Sequence, residues 1–149
     1  MKIILNDRES YALIDQSQYE RISKYTWHKD KGGYICRATR VNGKPRHILM
    51  HRELLGLKSG DPRQCDHINR IRHDNRLKNL RYATPEINAL NRRGRGITWN
   101  RSASKWQVQI KHRYKSRYLG LFSDKTEALR IYRSAKKTLI AGLISEMSA

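Results

Sequence analysis

Four side chains in the middle of the chain have the types and spacing that hydrolysis of a phosphodiester needs. Asp66 and His67 are adjacent, Asn79 follows His67 by twelve residues, and Asn88 follows Asn79 by nine. A neutral imidazole takes a proton from water near pH 7, which casts His67 as a general base. A hard divalent ion, Mg²⁺ or Mn²⁺, prefers oxygen ligands. Asp66 and Asn88 each offer one, and phosphate and water complete the shell. The ion offsets charge that builds on the phosphate and the leaving oxygen. Asn79 is suited to hold the ring or the backbone of His67, setting which ring nitrogen is free.

Elements must position these groups. Residues 64–67 predict a strand ending at Asp66-His67, then a loop, a second short strand carrying Asn79, and a helix carrying Asn88. Thr84 can cap that helix and Pro85 suits its first position. Ile87 and Leu90, three apart, give it a core-facing side. The loop carries Arg70, Arg72 and Arg76, expected beside the scissile phosphate, where Arg72 or Arg76 adds charge stabilisation in the transition state. His73-Asp74, a second pair in reverse order, is assigned no role.

Asp66-His67, Asn79 and Asn88 resemble the ββα-metal signature of HNH endonucleases, in the variant ending in Asn rather than His. The resemblance implies His67 as general base, Asn79 as its positioner, and Asp66 and Asn88 as ligands of one metal ion. His51-Arg52 with Leu54-Leu55-Gly56 is similar to the segment that leads into this motif in phage HNH homing endonucleases. His51 itself reads as a packed or phosphate-contacting residue rather than a ligand. Asn at the last position keeps an oxygen ligand and loses a nitrogen, which favours Mg²⁺ or Mn²⁺ over Zn²⁺.

Composition names the partner class. Lys plus Arg is 32 and Asp plus Glu is 13, a net charge of +19 over 149 residues, which points to a polyanion. No apolar stretch approaches the ~20 residues of a membrane span, and the start lacks the apolar length of a signal peptide. No membrane partner is expected, and a cytoplasmic nucleic-acid partner is favoured. Cys36 and Cys65 stand in no Cys-x-x-Cys spacing. A four-cysteine site is excluded and no structural zinc is expected. Both thiols read as buried small hydrophobes.

Residues 1–58 predict a small mixed α/β unit: a strand at 11–14, a helix capped by Asp15 and running to about 24, and a hairpin of 34–40 with 45–50 turned by Asn42-Gly43. Tyr19, Ile22 and Trp27 should face inward. Arg37, Arg40, Lys44 and Arg46 are expected on the exposed face of that hairpin, contacting phosphates, which positions without specifying sequence.

From Ile87 to Ser123 there is no acidic residue and there are nine Lys or Arg. Arg92, Arg93 and Arg95 stand in a glycine-broken linker at about 91–96, expected to follow the DNA backbone. Strands are predicted at 96–100, 105–111 and 116–120, then a helix from 124 to about 141 with Ala128, Tyr132, Ala135 and Leu139 as its apolar stripe. Trp106, Val108 and Ile110 alternate with Lys105, Gln107, Gln109 and Lys111. The first set packs on the helix, and the second leaves a polar face that can enter a major groove. Gly96-Ile97, Lys105-Trp106, Tyr118-Leu119-Gly120-Leu121-Phe122, Glu127-Ala128 and Tyr132 resemble the AP2 DNA-binding domain. The match implies DNA contact by Thr98, Asn100, Gln107, Gln109, Lys111, Ser116 and Tyr118, with Lys105 and Arg117 adding charge. The family's usual arginines are Thr98, Asn100 and Lys111 here, so base choice does not carry over.

The expectation is a modular α+β protein: an N-terminal unit at 1–58, a ββα-metal module at 59–93, and at 94–149 a three-stranded antiparallel sheet packed on one helix. Its expected activity is metal-dependent hydrolysis of double-stranded DNA by a monomer, since tandem modules raise effective concentration on a long site. A non-catalytic DNA-binding regulator is the alternative, and an RNA-binding protein a third reading, disfavoured by the narrow A-form major groove.

Overall fold

The computed structural model describes residues 1–58, 60–92, 96–113 and 115–148. Among them are ten strands and four α-helices in small antiparallel sheets, an α+β protein. None of the described helices is long and apolar enough to cross a membrane. The chain separates into two compact units, Met1–Asn88 and Ala89–Ala149.

In the first unit β1 (Lys2–Ile4) pairs with β2 (Tyr11–Leu13), followed by the short helix α1 (Tyr19–Ile22). Strands β3 (His28–Lys29), β4 (Ile35–Val41) and β5 (Lys44–Leu49) form a sheet in that order. Asn42 and Gly43 turn the β4–β5 hairpin with φ of 51° and 73°, the doubly positive pattern that Asn-Gly suits. Helix α2 (Met50–Leu54) leads to the pair β6 (Gln64–His67) and β7 (Leu80–Ala83). Helix α3 (Pro85–Asn91) follows, and the division between units falls on its last turn.

Residues on both sides of the boundary expected near residue 58 fall in the one unit Met1–Asn88. One buried cluster runs through Ile3, Ala12, Ile14, Ile22, Trp27, Ile35, Met50, Leu54 and Leu80, with Cys65 packed against it. Loop 68–76 is also tied to β2: Leu13 N–H donates to His73 O at 2.8 Å, and Asn75 N–H to Leu13 O at 2.8 Å. A chain with few apolar residues pools them, because small separate cores bury too little surface to offset chain entropy.

Two local expectations change. The helix expected at 15–24 is a 3-10 turn (Gln16–Gln18) followed by the single turn of α1, and Asp15 makes no side-chain cap. Its Oδ2 instead accepts the Leu77 N–H at 2.6 Å, a tertiary bond that replaces the local one. Asn79 lies in a 3-10 turn (Leu77–Asn79) just before β7 rather than on the strand.

In the second unit β8 (Ile97–Asn100), β9 (Lys105–His112) and β10 (Lys115–Phe122) form an antiparallel sheet ordered β10-β9-β8, with helix α4 (Lys125–Ser148) packed on it. Val108, Ile110, Ala128 and Leu143 are buried. Leu143 continues the stripe of Ala128, Tyr132, Ala135 and Leu139 by one more turn, so the helix outruns its expected end near 141. Asp124 Oδ2 accepts the Glu127 N–H at 2.7 Å and caps its start. Gly96 is required by close approach, since a Cβ there would run into the Tyr132 ring and the Gln109 carbonyl.

Candidate functional site

His67 ends β6 and is 5 % exposed. Its Nε2 lies 3.2 Å from Asn75 Oδ1, while Asn75 Nδ2 donates to Arg72 O at 3.3 Å. A carboxamide oxygen only accepts, so Nε2 carries the proton and Nδ1 is the basic atom of the neutral ring. Burial holds the imidazole below its ordinary value, outweighing Asn75, Asp66 and Asp74, which raise it. The ring is therefore neutral at pH 7 and able to accept a proton.

Asn75 supplies the ring contact, one of the two roles expected of Asn79, which were to hold the ring or the backbone. Asn79 works on the backbone. Its main-chain O accepts the Ile68 N–H at 2.8 Å, its Oδ1 accepts the Asn69 N–H at 2.9 Å, and its Nδ2 donates to Asp74 O at 2.7 Å. The residues directly after His67 are thereby fastened to the end of the loop. Asp74, in the pair given no role, anchors that loop: its carboxylate is buried, accepts both Arg76 Nε at 2.7 Å and Arg76 Nη2 at 2.8 Å, and takes Asn69 Nδ2 at 2.8 Å. Arg76, chiefly, holds the Asp74 carboxyl below the ordinary carboxylate range. Arg76 thus braces the loop, a different place from the phosphate contact expected of it.

Asp66 lies opposite Arg81 on β7, and its Oδ2 accepts Arg81 Nη2 at 2.6 Å and Nε at 3.0 Å. Asn88 on α3 donates from Nδ2 to Gln64 Oε1 at 2.9 Å. Gln64 and Asp66 share one face of β6, about 7 Å apart along the strand. Helix α3 therefore brings Asn88 to the face that carries Asp66. A carboxylate and a carboxamide oxygen are the hard donors that Mg²⁺ or Mn²⁺ takes, so the donor set fits that ion.

Around His67 the fold adds His51 and Tyr34, which the sequence did not single out for this site, beside Arg72, which it did. The His51 ring from α2 lies 5.0 Å from the His67 ring, edge-on, and 5.3 Å from the Tyr34 ring. Its Nδ1 is buried with no hydrogen-bond partner among the described residues, and burial, chiefly, pushes the imidazole down to about 3. The Arg72 guanidinium lies over the Tyr34 ring at 4.5 Å and donates to Gly32 O. Arg70 and Arg72 are exposed. Tyr34 stands 33 positions before His67, and no local pattern links it to the site.

The hairpin charges divide. Arg40, Lys44 and Arg46 are exposed as expected. Arg37 is not on an exposed face: its side chain is 13 % exposed, Nε donates to Glu53 Oε2 at 3.0 Å, and its guanidinium lies 3.9 Å from the Tyr25 ring centroid. It packs as a structural cation.

In the second unit, register places Thr98, Asn100, Lys105, Gln107, Gln109, Lys111, Ser116 and Tyr118 on one sheet face, away from buried Val108 and Ile110. Asn100 Nδ2 donates to Gln107 Oε1 at 3.0 Å, and Ser116 Oγ to Gln109 Oε1 at 3.4 Å. Arg117, expected to add charge to DNA contact, pairs with Ile110 and lies on the opposite face, towards α4. Trp99 pairs with Trp106, so it belongs to the helix side; it is 47 % exposed, with the two rings edge-to-face at 5.1 Å. Arg92 is exposed, and Arg93 and Arg95 lie outside the described residues.

No protein-family model, curated protein or solved structure matches the chain.

Proposed function

We propose that this protein is a metal-dependent endonuclease of the ββα-metal (HNH) type that hydrolyses double-stranded DNA, a phage-type homing endonuclease whose second unit reads sequence through its polar sheet face. The observation that carries the reading is the state of His67. It is buried and neutral, its proton is fixed on Nε2 by Asn75, and it adjoins Asp66 in a strand–strand–helix unit that presents Asn88. In this reading Nδ1 takes the proton of the attacking water. Asn79 fixes the backbone beyond His67, and exposed Arg70 and Arg72 attract the phosphate. Asp66 and Asn88 hold one Mg²⁺ or Mn²⁺, which supplies charge compensation at the phosphate. The net charge of +19 supplies sequence-independent affinity that falls with salt. The protein then acts as a monomer on DNA in the cytoplasm.

The test is cleavage of supercoiled plasmid with Mg²⁺, Mn²⁺ or EDTA, for wild type and His67→Ala. Metal-dependent loss of supercoiling by wild type alone is expected, and equal cutting by the variant would sink the mechanism. A second reading, a non-catalytic DNA-binding regulator, is favoured by one feature: Arg81 already gives Asp66 a cation partner. Tight, salt-sensitive DNA binding with no cleavage in either metal would select it.

A further inference from the structure

We infer that the first unit carries a second metal site, for zinc or a similar borderline divalent ion, formed by His28, Cys36 and His47 on one face of the β3-β4-β5 sheet. His28 on β3 stands directly across from Cys36 on β4. On the other side of β4, His47 stands across from Ala38, two residues along from Cys36 and therefore on its face. Three adjacent strands thus each contribute one ligand. The ligand atoms all lie within 4.8 Å of one another, Cys36 Sγ is 3.1 Å from His28 Nε2, and the two imidazole centroids are 5.8 Å apart.

A tetrahedral zinc ion, with Zn–S near 2.3 Å and Zn–N near 2.0–2.1 Å, sets its ligand atoms about 3.3–3.6 Å apart. All the ligand atoms lie within 4.8 Å of one another, so no gap exceeds that spacing by more than about 1.5 Å. His47 is exposed, so its ring can swing inward without disturbing the core. One thiolate and two imidazoles suit zinc, whereas Mg²⁺ and Mn²⁺ prefer oxygen. The set is therefore chemically distinct from the Asp66 and Asn88 pair. Binding releases the Cys36 thiol proton to solvent, and water takes the fourth position. The ion ties β3 and β5 to β4 at the base of the hairpin whose far end carries Arg40, Lys44 and Arg46. The expectation of no structural zinc considered only four-cysteine spacing, and strand pairing assembles a site that spacing does not show.

The test uses the full chain, stripped with chelator and titrated with Co²⁺ and then Zn²⁺. Wild type is expected to show a thiolate-to-cobalt charge-transfer band that saturates at one equivalent and is bleached by zinc. Cys36→Ala removes the band, while Cys65→Ala and His67→Ala retain it. The His67 variant separates this site from the proposed nuclease centre. Outer-shell partners alone change metal affinity by about 10–100-fold, so His47→Ala, at an exposed position, weakens binding by about a hundredfold or more. Absence of the band in wild type, its persistence in Cys36→Ala, or unchanged affinity in His47→Ala overturns the site.

Discussion

The polar groups around His67 and the polar sheet face of the second unit are built in opposite ways. At the first, Asp66, His67, Asp74, Asn75 and Asn79 are all buried and bonded, with Asn75 and Asn79 each bridging separate segments. At the second, Thr98, Lys105, Lys111, Ser116 and Tyr118 are exposed. Two short side-chain links, Asn100 to Gln107 and Ser116 to Gln109, organise that face. The difference follows from what each is proposed to do. A general base must present one chosen nitrogen in one direction, which requires a desolvated ring with its other nitrogen occupied. A surface that meets hydrated DNA gains from side chains that can adjust and exchange water.

That contrast can be broken by experiment, and the largest effect belongs to the buried side. His67→Ala should lower plasmid cleavage by about 10²–10⁴-fold while DNA affinity, read by fluorescence anisotropy, changes by no more than about 0.5 kcal/mol. A large affinity loss would mean that the ring binds rather than catalyses. Asn75→Ala leaves the His67 Nε2–H buried without its acceptor. Its expected cost is about 1–3 kcal/mol in urea-induced unfolding, with slower cleavage because the tautomer is no longer set. Unchanged stability and rate would remove Asn75 from the account.

The pH dependence of stability sharpens the same side. His51 titrates near 3 in the folded chain and near 6.5 when unfolded. The folded-state value is the lower one, so the unfolded chain binds the proton that the folded chain refuses. Stability from this group is complete above pH ~6.5 and declines as pH falls towards 3. Between pH 7 and pH 5 the loss is about 2 kcal/mol. His51→Phe should flatten that slope in chemical denaturation, leaving the smaller part owed to His67. An unchanged slope would place the pH dependence elsewhere.

The exposed side should give the smallest effects on the folded chain. Lys111→Ala is expected to leave unfolding within about 0.5 kcal/mol. It should reduce the slope of log affinity against log salt by about one phosphate contact. A stability loss comparable to that of Asn75→Ala would erase the distinction between the two regions.

How much of this was legible in the chain varies with the range of the interaction that decides it. Local signals sufficed for the β6–β7–α3 order, for the caps on Thr84 and Asp124, for the Asn42-Gly43 turn, and for the alternation that separates Gln107 and Gln109 from Val108 and Ile110. Each depends on residues within a few positions of one another, where backbone sterics and side-chain period act directly. The sequence by itself also determined the strong positive charge and the presence of Asp66, His67, Asn79 and Asn88 at their spacing. Tertiary structure decided what those residues touch. It moved Asp15 from a helix cap to the Leu77 amide, placed Asn75 on the His67 ring and Asn79 on the backbone beyond it, paired Arg81 with Asp66, and drew Arg37 against Glu53 and Tyr25. It also set His28, Cys36 and His47 side by side through strand register. These outcomes follow from burial: once a polar atom leaves water it must take whichever partner the packed core brings within reach, and that partner can stand tens of residues away along the chain.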